Sequence, residues 1–226
     1  MRLYYLTSEK WAKVVLAERR VKLSNIDELN DPFELLGAFI GEKRARKVVK
    51  YTRTRLGETF GLVCMSDTWQ NPVMWAHYGD KHKGVCLGFD VPNDAPKQVQ
   101  YKPARLTQLL GDNPTLADIN PAVLEALLTT KYKDWSYERE WRLIMSFKHA
   151  STGADGKHFL PFYEHIFALR EVILGDRCEW TLKDAAKVVG KVSKIVALKK
   201  VRPSFREFEM VRDLRQPVLH VRPASL

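Results

Sequence analysis

The chain is 226 residues long, 45% hydrophobic and 28% charged, which excludes wholesale disorder and allows a real core in one large domain or two small ones. Its net charge of +10 bears on partners and solubility and points toward polyanions. No apolar run can span a bilayer, the N-terminus lacks a signal-peptide pattern, and three cysteines without paired spacing make no disulfide framework, so a cytoplasmic protein with no membrane partner is expected.

In chain order, residues 3–6 read as a short strand. Ser8 is placed to cap a helix over 9–19, and 21–24 reads as a second strand. Asn30-Asp31-Pro32 is a turn signal, with Asp31 as cap for a helical piece at 33–36. A basic helix follows from about 42 to 56. Its core, 43–55, carries seven cations; a second basic stretch, 187–206, carries no acid. Either is a solvated face or a surface for nucleic acid or another polyanion.

Residues 61–66 form an apolar strand. Asn71-Pro72 opens a short helix on which Met74, His77 and Tyr78 share a face. Residues 84–91 form another strand, with a neighbour around 99–101. A loop with broken helical pieces fills 103–121, and 122–131 is helical.

The segment 137–144 sorts by parity into a strand. Trp141, Leu143, Met145 and Phe147 fall on one face, and Glu138, Glu140, Arg142 and Ile144 on the other. A polar loop at 151–156, strands at 159–162 and 172–174, a helix at 182–192, and strands at 195–201 and 208–214 complete the pattern. Residues 1–220 read as one α+β domain of mostly antiparallel strands, and 221–226 as a tail.

Phosphate-binding glycine loops, a nucleophile elbow and metal-ligand spacings are missing, so no metal is expected. The cysteines read as structural thiols. Two carboxylates on one strand face, Glu138 and Glu140, repel and raise at least one pKa, while Arg142 opposes that rise. Such a pair suits proton transfer or the stabilisation of a developing cation. An ordinary solvated strand face would explain the same row.

Three marks occur together: Asn-Asp-Pro-Phe-Glu at 30–34, Met-Trp-Ala-His-Tyr at 74–78 with Gly84 six residues on, and Tyr-Glu-Arg-Glu-Trp-Arg at 137–142. In these the chain resembles an uncharacterised bacterial family of unknown function. More distantly, residues 3–7, 21–24, 71–75 and 138–144 resemble the ADP-ribosyltransferases, in particular toxins of the DarT type that modify DNA. Tyr5 stands where many of those relatives have histidine, and Arg142 where they have an apolar residue.

This second resemblance implies split, mostly antiparallel sheets flanked by helices and an NAD-dependent transferase in a toxin or phage-defence role. Its cofactor would be NAD, as substrate. Its partners would be a nucleic acid, met through 43–55 and 187–206, and an antitoxin protein. Glu140 then takes the catalytic place and Glu138 assists. Tyr5 and Trp75 would stack the nicotinamide, with Ser24, Met74 and Tyr78 around it. Thr7, Asn30 and His77 would hold ribose or amide groups, and Arg142 the pyrophosphate.

Two alternatives stay open. One is a non-catalytic nucleic-acid or partner-binding module using Tyr51, Trp180 and Phe205. The other is a metal-dependent nuclease built on Asp134, Glu140 and Arg142.

Overall fold

The computed structural model describes residues 1–163 and 166–223. In chain order its elements are β1 (Arg2–Thr7), α1 (Glu9–Glu18), β2 (Arg20–Lys22), α2 (Lys43–Gly57), β3 (Phe60–Ser66), α3 (Pro72–His77), β4 (Val85–Asp90), β5 (Lys97–Gln98), β6 (Gln100–Lys102), α4 (Pro121–Thr129), β7 (Thr130–Tyr132), β8 (Glu140–Ser146), β9 (Ser151–Thr152), β10 (His158–Pro161), β11 (Ala168–Leu174), α5 (Leu182–Val189), β12 (Val196–Pro203), β13 (Met210–Arg212) and β14 (Leu219–Val221).

Local chemistry sets the helix starts. The Ser8 hydroxyl accepts from the Trp11 amide, and the Asn71 and Asn120 side chains accept from the amides that follow Pro72 and Pro121. Thr181 and Asp184 form a reciprocal capping box at α5.

The main sheet runs β13-β12-β11-β4-β1-β3-β8-β5, with β14 also on β12. Its paired strands are antiparallel except β11 with β12. Two small sheets, β2-β10-β9 and β6-β7, complete a mixed α+β fold of mostly antiparallel sheets flanked by helices.

Strand alternation sends side chains to two cores. Leu3, Val63, Met65, Leu87, Phe89 and Leu143 face α1 and α5 and pack with Val15, Leu16 and Ala185. The opposite face is divided. Leu62 packs with Ile26, Val49, Leu56 and Leu127 beneath α2 and α4. Leu6, Cys86 and Ile173 pack with Met74 and Trp75 of α3.

Several boundaries differ from the sequence reading, each for a local reason. Residues 33–36 turn without forming a helix, because Leu35 takes a positive φ of 60°. The helix before Lys131 ends at Thr129, and Lys131 itself is a strand residue paired with Tyr101. The strand expected over 137–144 starts at Glu140. Residues Lys133–Glu138 form a 3-10 turn, and Arg139 at φ 47° reverses into the strand. The helix expected over 182–192 stops at Val189, where Gly190 takes φ 64°. Of the expected tail, Val221 pairs with Val196, and residues 224–226 lie outside the described residues.

Gly84 marks a close approach of two chain segments. A Cβ there would lie 2.1 Å from the Thr7 carbonyl oxygen and 2.8 Å from that of Gly79. The Gly84→Ala protein is therefore expected to lose about 1–3 kcal/mol or more, through displacement of β1 from β4. A urea titration measures it, and a wild-type midpoint would show that the backbone yields freely.

Candidate active-site cleft

On the divided face, the strand registers set polar residues side by side. Tyr4 pairs with Ser66, Ser66 with Glu140, and Cys64 with Arg142. Paired residues of antiparallel strands share a face, so Tyr4, Ser66 and Glu140 form a row across β1, β3 and β8. The row runs between the two apolar clusters of that face. β1 and β3 meet only at Tyr4 and Ser66; further along, β3 is bridged instead by Ser24 at Leu62. A cleft of about 220 Å³ opens where the two strands part, lined by Tyr4, Tyr5, Ser24, Asn30, Met74, Tyr78, Glu138 and Glu140 among others.

Beneath it lies a buried cluster of charges, in which Glu34, Lys131, Glu138, Glu140 and Arg142 are each at most 5% exposed. Arg142 meets both oxygens of Glu34, at 2.7 and 2.8 Å, and both of Glu140, at 2.8 and 3.1 Å. Its remaining N–H donates to the Leu128 carbonyl at 2.7 Å, so all five guanidinium donors are used. Lys131 Nζ lies 2.6 Å from Glu138, 3.0 Å from Glu140 and 3.6 Å from Glu34. The Tyr78 hydroxyl donates to Glu138 Oε1 and accepts from Asn30 Nδ2 at 2.6 Å. The Glu140 amide donates to the Tyr101 hydroxyl at 2.8 Å.

The two strand-linked glutamates are therefore unlike. Burial pushes both carboxyls up. At Glu140 the Arg142 and Lys131 charges overcome burial and hold the pKa at about 2. At Glu138 burial and the Glu140 charge prevail over Lys131, and the pKa is raised. Glu140 is a fixed anion with both oxygens engaged by Arg142. Glu138 is the carboxyl that can gain and lose a proton, and each of its oxygens has one partner and room for another.

A ¹³C titration of the glutamate carboxyl carbons is expected to show Glu140 ionised down to about pH 2 and Glu138 titrating above the ordinary value of 4.5. Glu140, depressed in the fold, adds stability above the unfolded pKa that is lost as pH falls toward 2. Glu138, raised in the fold, adds stability at low pH that is lost as pH rises through its folded pKa. Equal titration of the two would contradict the assignment.

Of the residues singled out from sequence, Tyr5, Ser24, Asn30, Met74, Tyr78, Glu138 and Glu140 line this cleft. Four do not. Trp75 is fully buried, its indole N–H donating to the Trp69 carbonyl at 2.6 Å, and it offers no face for stacking. His77 is exposed beside the Tyr137 hydroxyl at 3.1 Å. Thr7 lines a separate cavity with Trp11 and Phe159, which Tyr5 also lines. Arg142 has no donor left for a pyrophosphate; it lies behind the cleft and braces Glu34 and Glu140.

Sequence reading missed Lys131 and Glu34 as site residues. Glu34 stood out only as the last residue of the Asn-Asp-Pro-Phe-Glu mark, and Lys131 was hidden at the end of an assumed helix. The Asp134 carboxylate is exposed and acts on the Tyr132 phenol, whose pKa it raises; no hydrogen bond or ion pair joins it to Glu140 or Arg142 among the described residues.

Among the described residues, no three His, Cys, Asp or Glu side chains are grouped to hold a metal ion; Lys131 and Arg142 fill the space between the three glutamates. Burial raises the pKa of all three free cysteines, so none is a ready thiolate. No helix among the described residues is long and apolar enough to cross a membrane. The basic stretch 43–55 lies on α2, with Lys43, Lys47 and Lys50 exposed. The stretch 187–206 is not one surface: Lys199 pairs with Glu171 and Lys200 with the Cys178 carbonyl.

Residues 74–143 match a family described as "Protein of unknown function (DUF2971)". The matched stretch includes Met74 to His77 of α3, Lys131, Glu138, Glu140 and Arg142, and leaves out Asn30 and Glu34. Neither the curated proteins nor the solved structures contain a match to the chain.

Proposed function

We propose that this chain transfers ADP-ribose from NAD to an acceptor, with Glu138 as the carboxylate that works at the ribose. The observation that carries the reading is the setting of Glu138: a protonatable carboxyl with spare acceptor capacity, in a cleft between two parting antiparallel strands. In this chemistry the bond from ribose to nicotinamide breaks, its electron pair stays on the nicotinamide nitrogen, and the ribose becomes an oxocarbenium ion. The acceptor attacks that carbon, and its proton passes to Glu138.

Charge fits the reaction. Three buried glutamates face Lys131 and Arg142, so the cluster carries one excess negative charge when Glu138 is ionised. A pyridinium ring or a cationic ribose balances it. Glu140 acts through position: it holds Lys131 and Arg142 in place and keeps the local field fixed. Asn30 and Tyr78 orient Glu138, and in this reading Ser24 and Tyr5, which also line the cleft, take the ribose and the ring.

The acceptor in this reading is a nucleic acid, in a toxin or phage-defence role. The test is incubation with NAD labelled in its adenosine half, together with DNA or RNA. Free nicotinamide and labelled nucleic acid are expected. Absence of both, with no NAD binding by calorimetry, would sink the reading.

A non-catalytic nucleic-acid module is favoured by one observation, the exposed Lys43, Lys47 and Lys50 on α2. It predicts salt-sensitive binding with no consumption of NAD.

A further inference from the structure

A second cavity, of about 280 Å³, lies against the same two segments that build the charged cluster. Consecutive residues serve the two sites. Glu34 reaches Arg142 while Phe33 lines the second cavity, and Lys131 reaches the glutamates while Tyr132 lines the second cavity. The Lys131 stem forms part of the wall between them, since it lines both.

The lining is largely apolar, with Leu36 and Pro103 beside the two aromatic side chains. Phe33 and Tyr132 are 53% and 44% exposed, more than a packing role requires. The Arg105 guanidinium stands 5.4 Å from the Phe33 ring centroid. Lys102 and Arg105 are exposed, and neither pairs with an acidic side chain among the described residues. An acid, Asp134, is near enough to the Tyr132 phenol to raise its pKa.

An apolar cavity with two aromatic side chains and two unneutralised cations suits a flat apolar ring joined to an anion. The chain carries +10 overall, and it passes from this cavity at Gly37 into the basic helix α2 at Lys43.

We propose that this cavity is a nucleotide-binding site in which the base lies against Phe33 and Tyr132 and the phosphate meets Lys102 and Arg105. The site stands apart from the donor chemistry, and its test contains no NAD. A nucleotide held here lies across the Lys131 wall from Glu138.

Fluorescence anisotropy with labelled single-stranded DNA and RNA oligonucleotides tests the site. The wild-type protein should bind a single strand. Phe33→Ala and Tyr132→Ala should each weaken binding by roughly 5- to 100-fold. Arg105→Ala should weaken it and lower the salt slope by about 1. Melting temperatures of the three variants should stay near wild type, because the altered side chains are exposed.

Competition by unlabelled AMP or TMP separates the sources of the nucleotide. Equal competition assigns the site to free nucleotides, and absence of competition assigns it to a strand. The proposal is overturned if the wild-type protein binds neither, or if all three variants bind as wild type does while Lys47→Ala on α2 does not.

Discussion

Replacing Arg142 with alanine is expected to destabilise the protein by on the order of 3–5 kcal/mol, a fall in Tm of about 10 °C for a chain of this size. The magnitude follows from what remains behind. Glu34 and Glu140 each lose a two-pronged partner, and Lys131, at 3.6 and 3.0 Å, is left to face three carboxylates. Buried carboxylates without partners take up protons. The variant should therefore gain stability as pH falls from 7 toward 5, since burial of Glu140 would be opposed by Lys131 alone and its folded-state pKa would lie above the unfolded one.

Arg142→Lys should recover only part of the loss. A lysine has three donors on one atom and cannot span two carboxylates and the Leu128 carbonyl. Urea midpoints at two pH values measure both effects. A wild-type midpoint in the Arg142→Ala protein would mean that water reaches the cluster.

Glu138→Gln should lower nicotinamide release by roughly 10²- to 10⁴-fold, the usual contribution of a positioned acid or base. The fold should survive, because glutamine keeps the shape and can still accept from the Tyr78 hydroxyl. Lys131 retains Glu140 and Glu34. Glu140→Gln makes the contrasting case. It removes one partner of Arg142 and should act first on stability, with activity falling in step with the folded fraction. If Glu138→Gln keeps the full rate and Glu140→Gln loses it in a protein that melts normally, the two roles are reversed and Glu140 takes the ribose.

Much of the sheet was legible because strand parity survives in one sequence. Leu62, Cys64, Arg142 and Ile144 face one way and Val63, Met65 and Leu143 the other, as alternation requires. The placing of Glu138 beside Glu140 was anticipated for a reason the structure replaces. Glu138 is not a strand residue; a 3-10 turn and a positive φ at Arg139 swing it back over the strand, where Lys131 ties it to Glu140.

The partners that decide its chemistry lie far along the chain. Glu34 to Arg142 spans 108 residues, and Asn30 to Tyr78 spans 48. No local pattern encodes such pairings. Lys131 could be read as a helix-end cation at a solvent face; its burial follows from the parallel pairing of β6 with β7, which single-sequence periodicity does not reveal.

The single-position meeting of β1 and β3 divides the sheet in space but not along the chain. One flank is built from β1, β4, β11 and β12, the other from β3, β5 and β8, and the two sets interleave in order. No single cut in the backbone can separate them, and a cut in a loop between β3 and β8 leaves strands of both flanks in each fragment. The stretch 74–143 contains β4 from one flank and β5 and the first half of β8 from the other, yet lacks β1 and β3, the strands through which they connect. Cloned alone, that stretch would hold strands of both flanks and neither of the two strands between which the cleft opens.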